Sequence, residues 1–288
     1  MNFIDYQIAH SPDADDIFMY YAIKFGWVST GDLRLENHAL DIETLNQEAL
    51  KNTFDATAIS FALYPKIKSE YALLRTATSF GDGYGPKLIA KKTTKLKKNF
   101  TLALSGEHTT NAMIAKLSYP NARVIYKNFL EIEQAVLDGE ADAGVLIHES
   151  ILDFDASLRV EAHIFDLWKD LVREDLPLPL GAMAIRRSLP ITRAIELEEI
   201  LTKAVALAVH HKGLLSKMLM ERNLVRVDEH NLDTYLDLYA NDTSITMNDL
   251  QLKATQRLFD IGAQHKLFDA LSVQDCLIPT QYMQLRQS

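Results

Sequence analysis

The sequence predicts an α/β protein of two lobes, and three observations carry that reading. Short apolar runs alternate with amphipathic ones along the first 60 residues, the pattern of strands and helices in succession. A second alternating series follows the polar stretch "KKTTKLKKN". A strand-like run, "GAMAIRRSL", then returns ahead of a mainly helical remainder. One series inserted between two parts of another makes two α/β lobes joined by two crossovers. A ligand cleft is expected between them, where strand C-termini and helix N-termini meet. The larger lobe is expected over 1–93 and 182–288, and the smaller inserted lobe over 94–181.

The elements read in order as follows. "FIDYQIAH" is a first strand, and "DDIFMYYAIKFGWV" a helix with acids in its first turn, where the helix dipole favours them. "LRLENHAL" is strand-like, and "DIETLNQEALKN" is helical with Leu45, Ala49 and Leu50 on one side. "FDATAIS" is a strand ending at Ser60. The pairing in such a chain is expected to be mostly parallel. "GDGYGP" then breaks the pattern, since three glycines and a proline make a shaped loop rather than a helix or strand. "KLIAKK" follows as a strand, and the basic polar run after it reads as a surface connection. The second series runs from about Leu96 to about Leu180, through "FTLALSG", "TTNAMIAKL", "ARVIY", "EIEQAVLDGE" and "AGVLIH". The run "ITRAIELEEILTKAVALAVHHKGLLSKMLMER" reads as one long helix. The crossovers are expected near Ala90–Lys95 and Leu180–Ala184, where they would act as a hinge.

Composition narrows the function. Of 288 residues, 48% are hydrophobic and 24% charged, so a large core is available. A net charge of -9 argues against nucleic-acid binding, which needs basic patches to neutralise phosphate. The lone Cys276 can make neither an internal disulfide nor a cysteine-based metal site. The N-terminus carries acids and lacks a basic segment followed by an apolar one, so no secretory signal is read there. No run approaches the ~20 apolar residues of a membrane span. The expectation is a soluble cytoplasmic protein without a membrane partner, of undetermined oligomeric state.

Candidate site residues lie at element ends. His148 ends "AGVLIH", and a neutral imidazole there can act as a base at cellular pH. A buried histidine bonded to a backbone carbonyl is the alternative. Thr109 and Thr110 begin a helix whose free N–H groups suit a carboxylate, although for the pair alone a plain cap is the commoner role. Ser60 ends a buried strand and can hold a polar group or cap the next helix. Asp13 and Asp15 fit the N-terminus of the first helix electrostatically, and Asp16 is open to either that role or ligand contact. His210 and His211 diverge on a helix and cannot share an ion. Neither an H-E-x-x-H, a P-loop nor a dinucleotide fingerprint occurs.

Taken together, "SPDADDIFMYYAI", "DIETLN", "AISFALYP", "GDGYGPKLIAKK", "HTTNAMIAKL", "GVLIHES", "LPLPLGAMAIRRSL" and "LDLYAND" resemble the 1,4-dihydroxy-6-naphthoate synthases of the futalosine route to menaquinone. The resemblance covers nearly the whole chain. It implies a bilobal, type II periplasmic-binding-protein-like fold in a lyase. The implied reaction cleaves cyclic dehypoxanthine futalosine, a small-molecule carboxylate, to 1,4-dihydroxy-6-naphthoate and a sugar-derived fragment. No metal or organic cofactor is implied. The family's catalytic histidine falls on His148. Its substrate-holding segments fall on Ala58, Ile59 and Ser60, and on the turn with Thr109, Thr110 and Asn111. The first turn departs from the family pattern, reading S-P-D-A-D-D where S-P-C-P-N-D is closer to the rule. Ala58 stands where a lysine can occur, leaving only its backbone to serve, and Asp82 stands where a basic residue is often found. Two rivals share the plan: chorismate dehydratase, and a non-catalytic solute-binding protein.

Overall fold

The computed structural model describes residues 4–225 and 229–278. The chain begins with β1 (Ile4–His10), α1 (Ala14–Lys24), β2 (Leu33–Ala39), α2 (Ile42–Leu50) and β3 (Ala56–Ser60). Asp41 caps α2 by accepting from the Thr44 N–H at 3.2 Å, which fixes where that helix starts. A 3-10 turn at Phe61–Leu63 leads into the short α3 (Tyr64–Ile67), then β4 (Tyr71–Leu73) and β5 (Ser79–Gly81). With β11 (Leu178–Arg186), these strands form a six-stranded sheet in the order β2-β1-β3-β11-β4, and β5 also pairs with β11.

The second sheet has five strands. It contains β6 (Lys87–Lys91), β7 (Thr101–Leu104), β8 (Arg123–Tyr126), β9 (Ala143–Leu146) and β10 (Leu158–His163), in the order β10-β6-β9-β7-β8. Between these strands run α4 (Thr110–Ser118) and α5 (Ile132–Asp138), and α6 (Ile164–Val172) follows β10. The remainder is helical: α7 (Ile191–His210), α8 (Lys212–Glu221), α9 (Glu229–Tyr239), α10 (Asp242–Ile245), α11 (Asp249–Gln264) and α12 (Val273–Cys276). The long helix read from the sequence breaks at His211, whose N–H closes α7 on Leu207 and whose carbonyl accepts from Leu215 to open α8. The break lets α8 pack back on α1 and α9.

Strand pairing departs from the sequence reading in two respects. Only four of the nine strand pairings among the described residues are parallel. The antiparallel ones all involve β6 or β11, the strands nearest the two passages between sheets, which enter each sheet in the reverse direction. The division of the chain also shifts. β6 lies in the second sheet, so the expected boundary at 93/94 falls after a strand of the smaller lobe. β11 lies wholly in the first sheet, although the expected boundary at 181/182 cuts it. Ala90 and Leu180–Ala184 are therefore strand interior, and the chain passes between sheets at 82–86 and 173–177. The polar run after β6 is the surface connection read from the sequence, and because it joins β6 to β7 within the second sheet, the crossover expected near Ala90–Lys95 does not lie there.

The first passage is the "GDGYGP" loop. A Cβ on Gly81 would lie 2.3 Å from the Tyr84 carbonyl oxygen, so only glycine permits the tight return. The second passage is held by Trp168 of α6, which is fully buried and donates from Nε1 to the Leu176 carbonyl at 3.0 Å.

Candidate active site

The cleft between the two sheets is built from three strand ends and one helix start. It encloses about 770 Å³, including the part open to solvent, and every residue named as a site candidate from the family resemblance lines it. β3 delivers Ala58, Ile59 and Ser60 to its floor. Beside them, Gly181 and Ala182 of β11 pair with Ser60 and Ile59. Ser60 is held by Asn46 of α2. The Asn46 Oδ1 accepts from the Ser60 N–H at 2.9 Å, and its Nδ2 donates to the Ser60 Oγ at 3.1 Å. Asn46 is fully buried between Leu45 and Ala49, where the helix pattern calls for an apolar side chain. That exception was the available signal of its role.

The helix start is α4. Thr109 caps it, accepting from the Ala112 N–H at 3.3 Å while its carbonyl accepts from Met113. The amides of Thr110 and Asn111 belong to the first turn of the helix, which is buried at the cleft wall and carries partial positive charge. The Thr109 hydroxyl donates to the Asn111 Oδ1. The Thr110 hydroxyl is committed elsewhere: it donates to the Leu180 carbonyl at 3.1 Å and accepts from the Ala62 N–H at 3.2 Å. It bridges the lobes, so what Thr110 itself can offer a ligand is its backbone N–H. Glu43 of α2 makes a second bridge, accepting from the His108 N–H at 3.1 Å.

His148 lies two residues beyond β9, not within the strand as its sequence suggested. It opens a 3-10 turn, and its φ of +53° places it in the left-handed region that few non-glycine residues adopt. Gly144 in β9 fits the strand against α5, since a Cβ there would meet Ile132 at 2.5 Å. The imidazole stands edge-on to Phe129, with ring centroids 5.0 Å apart. Its Nδ1 lies 2.8 Å from the Asp13 Oδ2.

The first turn thus differs from its sequence reading. Asp13 occupies the N-cap position of α1, but its side chain makes no cap bond there. It turns instead to His148, and the Ser11 hydroxyl donates to it. Asp16 lines the cleft and accepts from the Ser11 N–H at 2.8 Å. Burial, and after it the nearby charge of Asp13, push the Asp16 carboxyl up to about 7, against the opposing pull of the Ser11 N–H and His148. The side chain of Asp15 lies outside the described residues. His10 does not line this cleft. Burial holds its imidazole below the ordinary range, and its Nδ1 is 2.6 Å from the Ser11 carbonyl.

Tyr235 and Tyr239 of α9 complete the wall. They are one helical turn apart and were indistinguishable from core aromatics in the sequence. No lysine or arginine lines the cleft among the described residues.

Residues 6–264 match the family model described as menaquinone biosynthesis. This chain belongs to that family. A 1,4-dihydroxy-6-naphthoate synthase of Thermus thermophilus is 28% identical over 253 residues, which cover 88% of this chain and 92% of that one. A protein of Archaeoglobus fulgidus of known structure is 32% identical, with a TM-score of 0.84, over 92% of this chain and 98% of its own. The aliphatic sulphonate binding protein of Escherichia coli aligns at a TM-score of 0.64 and 11% identity, over 95% of this chain and 91% of its own. That likeness is one of fold, and it places the chain in the periplasmic-binding-protein-like class. The resemblance read from the sequence therefore holds, and with it an enzymatic role in the menaquinone biosynthesis family. No helix among the described residues is long and apolar enough to cross a membrane.

Proposed function

We propose that the chain is a 1,4-dihydroxy-6-naphthoate synthase. In this reading it cleaves cyclic dehypoxanthine futalosine to 1,4-dihydroxy-6-naphthoate and a sugar-derived fragment, with His148 as general base. The observation that carries it is the meeting in one cleft of an imidazole and a helix N-terminus. The amides of Thr110 and Asn111 suit the substrate carboxylate, in a cleft wall without lysine or arginine among the described residues. Ser60, with its N–H taken by Asn46, keeps a hydroxyl hydrogen to donate to a second polar group. The product gains aromaticity, so the driving force resides in the substrate. The protein's task is to orient it, exclude water and accept a proton. A cytoplasmic site of action is part of this reading, and cell fractionation would test it.

The deciding assay offers the purified protein cyclic dehypoxanthine futalosine and, separately, chorismate. Formation of the naphthoate from the first alone is expected. Turnover of chorismate instead favours the dehydratase, and binding without turnover favours a solute-binding protein. Ser60→Ala is expected to raise KM by about tenfold, the equivalent of roughly 1.4 kcal/mol for one lost hydrogen bond, with kcat little changed. An unchanged KM removes Ser60 from the binding set.

The lobes are proposed to open for substrate, because buried contacts bridge the cleft and must part to admit it. Thr110→Val cuts one bridge. The radius of gyration of the ligand-free variant, measured by small-angle scattering, is expected to rise above wild type. An equal radius in both proteins counts against a closure held by this contact.

A further inference from the structure

We propose that Asp13 is a positioning residue for His148 supplied from the opposite lobe, so that closing the cleft assembles the imidazole–carboxylate pair. The inference rests on the reading of His148 as base. Asp13 follows β1 in the six-stranded sheet, and His148 follows β9 in the five-stranded one. Their 2.8 Å contact therefore exists only while the lobes are together. The Asp13 side chain is 1% exposed and that of His148 18%. A carboxylate so removed from water is costly unless hydrogen bonds hold its charge, and two do: the Ser11 hydroxyl and the imidazole. Asp13 also leaves its helix cap unmade to form them.

The chemical consequence concerns the ring. With Nδ1–H donated to a carboxylate, the neutral imidazole is fixed in one tautomer and Nε2 is the basic nitrogen. When Nε2 accepts a proton, the imidazolium stands beside a negative charge that stabilises it. The backbone of His148 and the Phe129 edge fix the ring plane from its own lobe. Among the described residues, the other ionisable side chains lining the cleft are Asp16, Tyr235 and Tyr239, with Glu149 next to His148 on its own turn and His10 near enough to Asp13 to interact with its charge. The carboxyl in contact with the ring is that of Asp13, while burial raises the Asp16 carboxyl and so disfavours a second negative charge beside it.

Three measurements test this. Asp13→Asn keeps the shape but can present an amide N–H to Nδ1, which forces the proton onto Nε2 and removes the base. A fall in kcat on the order of 10²-fold or more is expected, with KM within about threefold. Asp13→Glu should recover part of the loss. The acid limb of the kcat/KM profile should move to lower pH, because a protonated imidazole no longer has the carboxylate to favour it. Asp16 loses the same neighbouring charge and moves in the same direction. Nitrogen-15 NMR of the wild-type imidazole, needing no variant, should find the neutral ring protonated at Nδ1 in the closed, product-bound protein. A ring protonated at Nε2 there overturns the proposal. So does an Asp13→Asn variant with kcat within threefold of wild type while His148→Asn is inactive, and in that case the base assignment stands. If His148→Asn is itself active, the base assignment fails and this inference with it.

Discussion

His148→Asn is expected to lower kcat on the order of 10²-fold or more while the fold and substrate affinity persist. The expectation follows from what the residue touches. The ring meets the Asp13 carboxylate and the Phe129 edge, and the residue lies in a 3-10 turn outside every strand, so the substitution leaves the pairing of both sheets in place. Asparagine has comparable reach at Nδ1 and can keep a hydrogen bond to Asp13, but it has no basic nitrogen to take a proton. The left-handed backbone at this position is one that asparagine adopts more readily than most residues, so the substitution adds little strain. Single-turnover and steady-state rates with cyclic dehypoxanthine futalosine, alongside titration of product binding, separate chemistry from affinity. A variant with nearly wild-type kcat would sink the assignment. A variant that loses binding as well as rate would make His148 a substrate ligand first.

How far the sequence leads depends on the range over which each feature is determined. The alternation of β1, α1, β2, α2 and β3 is local and was legible. So was the insertion of a second series, because the return strand "GAMAIRRSL" is visibly out of place among helices. The three-residue strands β4 and β5 were too short to show a period. β10 was missed because its side chains are mostly half-buried, giving no clear two-residue alternation. Strand direction was legible within each alternating series, where β1 to β3 and β7 to β9 pair in parallel, but not for β6 and β11, whose direction depends on the partners they find in the assembled sheets.

The candidate site shows the same division. His148 was identifiable because an imidazole ending an apolar run is locally unusual. Asp13 was assigned to its own helix because a carboxylate there satisfies the local electrostatics. The bond it makes instead is to a residue of the other lobe. Thr110 was read as a ligand donor, but its hydroxyl is occupied by Ala62 and Leu180, two groups distant in sequence. Local chemistry thus identified the residues of the cleft, while their division of labour was set by contacts that form only when the lobes meet.

The largest loss of stability is expected from Trp168→Ala, on the order of 3–5 kcal/mol. The side chain is fully buried on α6, the helix that follows the last strand of the smaller lobe and packs on α4 and on α11. Truncation removes a large apolar surface and leaves a cavity, and those two losses add. A third loss is specific to this position. Nε1 holds the Leu176 carbonyl in the passage that carries the chain into β11. β11 lies between β3 and β4 and sets Gly181 beside Ser60, so slack in this passage reaches the cleft floor. Trp168→Phe separates the contributions, since it keeps most of the ring but loses the donor. It is expected to cost about 1–3 kcal/mol, the range for leaving a buried acceptor unpaired. Urea titration of wild type and both variants, followed by far-ultraviolet circular dichroism, gives the order wild type, Phe, Ala. With a typical domain stable by only ~5–15 kcal/mol, the Ala variant should lose a large fraction of its resistance to urea. Coincident midpoints for wild type and Trp168→Ala would mean that neither the packing around Trp168 nor its hold on Leu176 contributes as argued. If the Phe variant matched the Ala variant, the hydrogen bond rather than the buried ring would be the dominant restraint on the passage into β11.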